Sequence, residues 1–443
     1  MTTLKHPPPD SPQEVKLGHV EKKIIIKNAS WLFLDKILRM GVGVIVSVWV
    51  ARYLGPDQYG WFSYLLAFLA LFGTISSLGL NGIVVREILE HREKQELILG
   101  TSLLLQLATG VMALIAMAFV IMLLRPEAKD PLLISALLGS VLLLKSTETI
   151  KFWFEANLQA KYFVAVENGA FLIISACKVL AIYNNSSFIA FIYLTLAEAG
   201  LVSFGLLFIY KRVGGNVLNW RANLKTAQWL IRNSWPLVLS SVTIMIYMRI
   251  DQIMIGQLIS DDAVGMFTAA VRISEVWYFI PTAVVTSIFP SILKSKKRSE
   301  SEYLKKLQVL YNYLTSISIA LAIIISFSSE LIITKIYGKE YAEAGKVLSI
   351  HIWAGVFVFS GIASSKWFII ENLQKFTLSR TTLGAITNII LNSILIPSYG
   401  IIGAAWATLI SQAVASVLAN ALNSKTRITF IMQCKAFIPF FFK

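Results

Sequence analysis

Cysteine is nearly absent from this chain. Two occur in 443 residues, Cys177 and Cys434, isolated and without ligand spacing. Histidine is equally sparse: His6, His19, His91 and His351 are scattered singly, so the sequence offers no metal site. Charge is scarce too. Asp, Glu, Lys and Arg make up 15% of the residues, where a soluble domain carries about 25%. An apolar leader is also missing from the start. Residues 1–29 are polar and include Pro7-Pro8-Pro9, so they read as a cytoplasmic tail rather than a removable signal.

What is present is apolar length. Hydrophobic residues form 56% of the chain and the mean hydropathy is +0.67, which marks a polytopic membrane protein. Apolar windows long enough to cross a bilayer fall at about 30–50, 60–80, 101–124, 131–150, 164–183, 188–210, 234–259, 264–290, 308–328, 345–368, 379–397 and 401–422. The expectation is an all-α protein with about twelve transmembrane helices.

The net charge of +15 could suggest nucleic acid as a partner, but its placement argues otherwise. Most Lys and Arg residues lie on loops of one side, the side of the N-terminus. By the positive-inside rule both termini are then cytoplasmic. The cluster Lys294-Ser295-Lys296-Lys297-Arg298 would lie against anionic lipid headgroups. Membrane lipids, not nucleic acid, are the expected partners.

The basic linker 211–233 divides the chain near its middle. It separates a six-helix bundle over 30–210 from another over 234–423, with a second cytoplasmic tail at 424–443. The halves echo each other. Ser30-Trp31 is matched by Ser234-Trp235, and Gly60 by Gly265. Lys151-Phe-Trp-Phe-Glu-Ala-Asn-Leu-Gln159 agrees with Lys366-Trp-Phe-Ile-Ile-Glu-Asn-Leu-Gln374 at four of nine positions, and Gly169-Ala170 keeps the same offset to Gly384-Ala385. An internal duplication of six spans is a parallel repeat, and two such bundles enclose a central cavity that can open to either face. That organisation points to a transporter.

Charges inside the spans supply the candidate site. A charge at mid-bilayer costs about 2.5–3.5 kcal/mol on insertion scales, so each asks for a partner or a purpose. Arg249 and Arg272 lie roughly 15 and 12 Å deep at helical rise, too deep to snorkel easily. A guanidinium bonds two phosphate oxygens at once, so these two are the best candidates for binding an anionic headgroup. Asp251 and Glu275 stand beside them as charge partners or as proton or ion carriers. Arg272 and Glu275 share a helix face, whereas Arg249 and Asp251 do not. Asp35, Lys36 and Arg39 sit nearer the cytoplasmic end. They either snorkel and pair, Asp35 with Arg39, or line an inner vestibule that receives substrate. Glu198 reads as a lone carboxylate in the sixth span and a proton-site candidate, and Lys178 as a snorkelling residue near the outer end.

The opening hairpin carries a resemblance. Trp31-Leu-Phe-Leu-Asp-Lys-Ile-Leu-Arg39, Val50-Ala-Arg-Tyr-Leu-Gly-Pro56 and Tyr59-Gly60, with Leu78-Gly79-Leu80-Asn81 and Tyr399-Gly400-Ile-Ile-Gly403-Ala404-Ala405, resemble the polysaccharide biosynthesis transporters. These are the Wzx-type branch of the multidrug/oligosaccharidyl-lipid/polysaccharide exporter superfamily. The resemblance implies a flippase of the bacterial cytoplasmic (inner) membrane. It would move an undecaprenyl-pyrophosphate-linked oligosaccharide, such as an O-antigen unit of lipopolysaccharide, between leaflets by alternating access. No cofactor is implied beyond a proton or sodium gradient. A polysaccharide polymerase and chain-length machinery are the implied protein partners.

Two other readings compete. A multidrug or cation exporter of the same superfamily is disfavoured by a cationic cavity. A membrane glycan polymerase or glycosyltransferase generally needs a large outer loop or a carboxylate cluster. The longest outer loop, about 329–345, has Glu330, Glu340 and Glu343 but no Asp-x-Asp motif. The expectation is therefore a transporter and not an enzyme.

Overall fold

The computed structural model describes residues 12–127 and 130–441, and side-chain environments for 27, 28, 30–127 and 130–437. The described residues are helical, with no strand among them. In order the helices are α1 (Pro12–Ser76), α2 (Asn81–Glu90), α3 (Gln95–Leu124), α4 (Pro131–Leu144), α5 (Thr149–Ala156), α6 (Ala160–Tyr183), α7 (Phe188–Arg212) and α8 (Leu224–Leu258). They continue with α9 (Asp261–Glu275), α10 (Phe279–Arg298), α11 (Glu300–Ile336), α12 (Ala344–His351), α13 (Ala354–Ile370), α14 (Gln374–Ser416) and α15 (Arg427–Phe441).

Ten helical stretches among the described residues are long and apolar enough to cross a membrane. Two of these cross twice. Within α1, Gly55 adopts φ 72° and ψ 170° ahead of Pro56, and Ser47 Oγ then lies 3.1 Å from the hydroxyl of Tyr59, twelve residues on. A straight helix would separate those residues by about 18 Å. Within α14, Gly400 adopts φ 61°, and Gly403 comes back against the carbonyl of Leu395. Only glycine takes that positive φ without strain, so the two turns rest on Gly55 and Gly400. The total is twelve crossings, as expected.

The crossings form two lobes, α1–α7 and α8–α15. The repeat is visible in atomic detail at the turn after α5 and after α13. Gln159 N–H bonds the carbonyl of Phe154 at 2.8 Å, and Leu373 N–H bonds that of Phe368 at 2.8 Å. Leu158 and Asn372 take the same left-handed φ, 53° and 56°. Trp153 packs on Phe154 at 5.2 Å and Trp367 on Phe368 at 5.3 Å. This superposes Trp-Phe on Trp-Phe, one residue out of register with the gapless sequence match. The turn geometry and the aromatic pair, not the Lys and Gln identities, define the repeat here.

Several boundaries differ from expectation. The helix at the N-terminus begins at Pro12, inside the expected tail; residues 1–11 lie outside the described residues. The linker is helical from Leu224, because Asn223 caps α8 by accepting the amide of Thr226 at 2.7 Å. The expected C-terminal tail holds α15, which packs into the second lobe. Its Gln433 is fully buried, donating to Ser360 Oγ at 2.9 Å and accepting from Asn420 at 2.8 Å. A periodicity search for spans passes over such a helix, since 15 residues are too few to cross.

The lobes meet most tightly at the end opposite the N-terminus, here called the far face. There the main apolar core draws on both lobes, with Val50, Ala51, Tyr59 and Leu65 beside Val264, Phe267, Tyr337 and Tyr341. The hydroxyl of Tyr341 donates to the carbonyl of Ala51 at 2.7 Å. Toward the N-terminal face each lobe keeps its own core, around Tyr303, Phe359 and Phe368 in one and Phe154, Phe163 and Tyr210 in the other. The first turns of α8 are the exception, with Leu230 packed among Leu80, Ile83 and Val84. The bundle is thus pinched at the far face, with a chamber on the N-terminal side of the pinch.

Candidate functional site

The chamber has a volume of about 510 Å³ and is bounded by α1, α6, α7 and α9. Arg39, Arg272, Glu198 and Glu275 all line it, together with Lys178 and Tyr59. A smaller recess of about 100 Å³ continues from it, sharing Arg272 and Glu275 and adding Arg249 and Gln252. Six of the residues singled out from the sequence therefore converge, from both copies of the repeat. The opening hairpin and its echo face one space.

The three arginines are held differently. Arg39 Nε donates to Asp35 at 2.8 Å, one helical turn away, and its other end lies 3.6 Å from Glu167 on α6. Glu167 also accepts from Lys151 at 2.7 Å, which in turn lies 3.2 Å from Glu148. Arg39 is thus neutralised within its lobe. Arg272 faces Tyr59 and Glu275, yet no carboxylate lies within 4.0 Å of Arg272 or Arg249 among the described residues. Sharing a helix face did not make Arg272 and Glu275 an ion pair. Neither guanidinium is ion-paired among the described residues.

Other expected residues go elsewhere. Lys36 is exposed and lines none of these recesses, because it points about 100° around the helix from Asp35. Glu198 is not a lone carboxylate. Lys178 crosses from α6 to within 3.6 Å of it, so neither the isolated proton site nor the snorkelling lysine describes this pair. Asp251 lies outside the chamber, 4% exposed, between α8 and α14. It accepts from Asn392 and, at 2.7 Å, from the hydroxyl of Thr408. Asn392 in turn donates to Asn388 at 3.2 Å, and its own carbonyl oxygen is buried without a donor. The cluster holds one carboxylate, an excess of oxygen acceptors and no cation among the described residues.

Four residues that sequence reasoning passed over complete the picture. Arg125, after α3, donates to Asp261 at 2.6 Å and to the carbonyl of Gly256 at 2.6 Å, tying the lobes together at the far face. Its guanidinium also lies 4.8 Å above the ring of Tyr64. Arg380 is a buried cation satisfied by neutral oxygens, Ser364 and Ser365 at 2.6 Å each and the carbonyl of Gly361 at 3.1 Å. The spacing Arg380, Gly384, Asn388, Asn392 was the available signal for it, a buried polar stripe at helical period four. Lys145 has no carboxylate within 4.0 Å among the described residues and lines two further recesses, of about 310 and 340 Å³. Glu167, half-buried against two cations, was hidden in an apolar span. Outside the chamber, Glu87, Glu90 and His91 bring potential ligand atoms within 4.8 Å of one another on the exposed end of α2.

The chain also resembles proteins already known. It is 27% identical over 90% of its length, and 84% of the relative's, to the probable low-salt glycan biosynthesis flippase Agl15 of Haloferax volcanii. It is 21% identical to the capsular polysaccharide biosynthesis protein CapF of Staphylococcus aureus, covering 89% of this chain and 98% of that one. In fold it is similar to the lipid II flippase MurJ in an inward closed conformation, with a TM-score of 0.67, 16% identity and coverage of 93% and 91%. An inward-facing multidrug resistance MATE family transporter of the MOP superfamily gives a TM-score of 0.66 at 14% identity, covering 90% and 95%. A family model described as polysaccharide biosynthesis protein matches residues 25–296, more than half of the chain. The protein therefore belongs to the polysaccharide biosynthesis protein family, the flippase branch that its opening hairpin resembles.

Proposed function

We propose that the protein flips a lipid-linked oligosaccharide, of the undecaprenyl-pyrophosphate type, across the cytoplasmic membrane by alternating access. Its N-terminal face is cytoplasmic in this reading, and the chamber receives the headgroup from that side. The observation that carries the reading is the pair Arg249 and Arg272, two guanidiniums in one recess off the chamber with no carboxylate within 4.0 Å among the described residues. A pyrophosphate supplies the missing charge and accepts in the bidentate geometry guanidinium prefers. A cationic drug fits poorly, since the free charges here repel it.

The gradient-coupling role falls to Asp251. Its carboxylate sits among Thr408, Asn388 and the undonated oxygen of Asn392, a set that can take a proton or a sodium ion. Glu275 is the second carboxylate open to the chamber. Glu198, paired to Lys178, releases that cation or keeps it as the chamber reshapes. A polysaccharide polymerase and chain-length machinery would take up the flipped product.

Arg249→Ala and Arg272→Ala variants at matched protein level test the headgroup site. Surface glycan should fall at least about tenfold in each, the loss of one charge-assisted hydrogen bond or more, with lipid-linked precursor accumulating inside. Wild-type output from both variants would sink the reading.

A further inference from the structure

The recess of about 310 Å³ beside Lys145 lies in the first lobe, between α1, α3 and α4, and is closed on one side by Met245 of α8. Its wall has an unusual hydrogen-bond balance. Thr74, Ser76, Ser77 and Ser146 each give their hydroxyl proton to a carbonyl of their own helical turn: Ala70 at 2.9 Å, Gly73 at 3.0 Å, Thr74 at 2.8 Å and Leu143 at 2.7 Å. Gln106 gives one N–H to the carbonyl of Ser77 at 3.3 Å and accepts from Thr149 at 2.7 Å, which leaves its second N–H uncommitted. The hydroxyl oxygens that remain can only accept. Glu148, at the rim, is occupied by Lys151 at 3.2 Å.

Beside that one amide N–H, the remaining donor is charged. Lys145 lies about eleven residues before the end of α5 at Ala156, about 16 Å at helical rise, which is close to mid-bilayer. This ammonium is exposed and, among the described residues, has no carboxylate within 4.0 Å, so its charge is open to an anion. A wall of acceptors with a single cation calls for a ligand that offers many hydroxyl donors and one anionic group. An acidic sugar has that composition.

The position suits it. Met245 precedes Arg249 by one turn of α8, about 6 Å along the axis, and Ala70 lines both the Lys145 recess and the Arg249 recess. A headgroup whose phosphates sit at Arg249 and Arg272 would place its attached saccharide here.

We propose that Lys145 and the hydroxyl wall around it form a saccharide subsite selective for a glycan bearing a carboxylate. The proposal rests on the headgroup reading above, and its test separates the two. Full-length protein in detergent micelles is titrated with three probes: farnesyl pyrophosphate, a tetrasaccharide alternating glucuronic acid and N-acetylglucosamine, and the neutral tetramer of N-acetylglucosamine. Wild type should prefer the acidic tetrasaccharide to the neutral one by about tenfold, one charge-assisted hydrogen bond. Lys145→Gln should erase that preference, while Lys145→Arg keeps it and shows that the lobe still folds. Neither variant should change farnesyl pyrophosphate binding. Equal binding of the two tetrasaccharides by wild type, or an undiminished preference in Lys145→Gln, overturns the subsite. Failure of farnesyl pyrophosphate to bind wild type would instead overturn the headgroup site, with the tetrasaccharide comparison standing on its own.

Discussion

Gly60 and Gly265, matched positions of the two repeat copies, cross each other at the far face with no side chain between their helices. A Cβ on Gly60 would meet the carbonyl oxygen of Asp261 at 1.7 Å, and one on Gly265 would meet that of Pro56 at 2.0 Å. The contact is reciprocal: each glycine rests on the first turn of the other's helix, so the interface is isologous within one chain. Because both obstacles are backbone, neither can move aside without parting the lobes. The crossing exists only in a conformation closed at this end.

Gly60→Ala and Gly265→Ala should therefore hold the far face open. With Cys177 and Cys434 replaced by serine and a cysteine introduced at Tyr59, labelling by an impermeant thiol reagent from that side should rise several-fold in both variants. Labelling equal to the parent would show that the crossing is not a closure contact.

Arg125 acts on the same closure from the side. It bonds Asp261 and Gly256 across the lobes, and Asp261 sits in the first turn of α9 behind its cap Ser260. Arg125→Ala should weaken the closed end by about 1.5–3 kcal/mol, the range for hydrogen bonds to a charged group. Arg125→Lys should recover part of that, because an ammonium cannot reproduce the fork. The thiol-labelling assay reports the shift, and closure as firm in Arg125→Ala as in wild type would contradict it.

Asp251→Asn keeps the shape of the cluster and removes its charge. Transport should lose its dependence on the ion gradient while thermal unfolding of the purified protein stays within a few degrees of wild type, since Asn can still bond Thr408. Glycan flipping into liposomes with and without an imposed gradient distinguishes this from simple misfolding. Full gradient dependence in the variant would remove Asp251 from the coupling role.

Gln433→Leu tests the terminal helix. The substitution leaves Ser360 and Asn420 without their buried partner, so it should cost about 1–3 kcal/mol for each group left unsatisfied. A drop of several degrees in the unfolding midpoint is expected. An unchanged midpoint would mean that α15 docks without contributing to the lobe.

The hairpin Trp31–Gly60 was readable because its signals are local. Apolar length measures the bilayer, Gly55-Pro56 forces the turn, and Asp35 and Arg39 are one helical turn apart, so their 2.8 Å contact follows from spacing alone. Depth could also be counted along a helix, which is why Arg249 and Arg272 stood out. Partnership could not. Lys178 and Glu198 looked like separate charges because only the antiparallel packing of α6 on α7 brings them to 3.6 Å. Lys145 and Arg380 carried no local signal that set them apart from other charges near the ends of spans.

Composition, span lengths, turn residues and the duplicated halves by themselves determined a twelve-crossing, two-lobed membrane protein with deep arginines. Each of those properties depends on residues within a turn or a bilayer thickness of one another. Tertiary structure alone decided which charges remain free. Arg125 finds Asp261 136 residues away, and Asp251 finds Thr408 157 residues away, while Arg249 and Arg272 have no carboxylate within 4.0 Å among the described residues. An ion pair in a low-dielectric interior is a matter of a few ångströms between helices, and that distance is written in packing rather than in spacing.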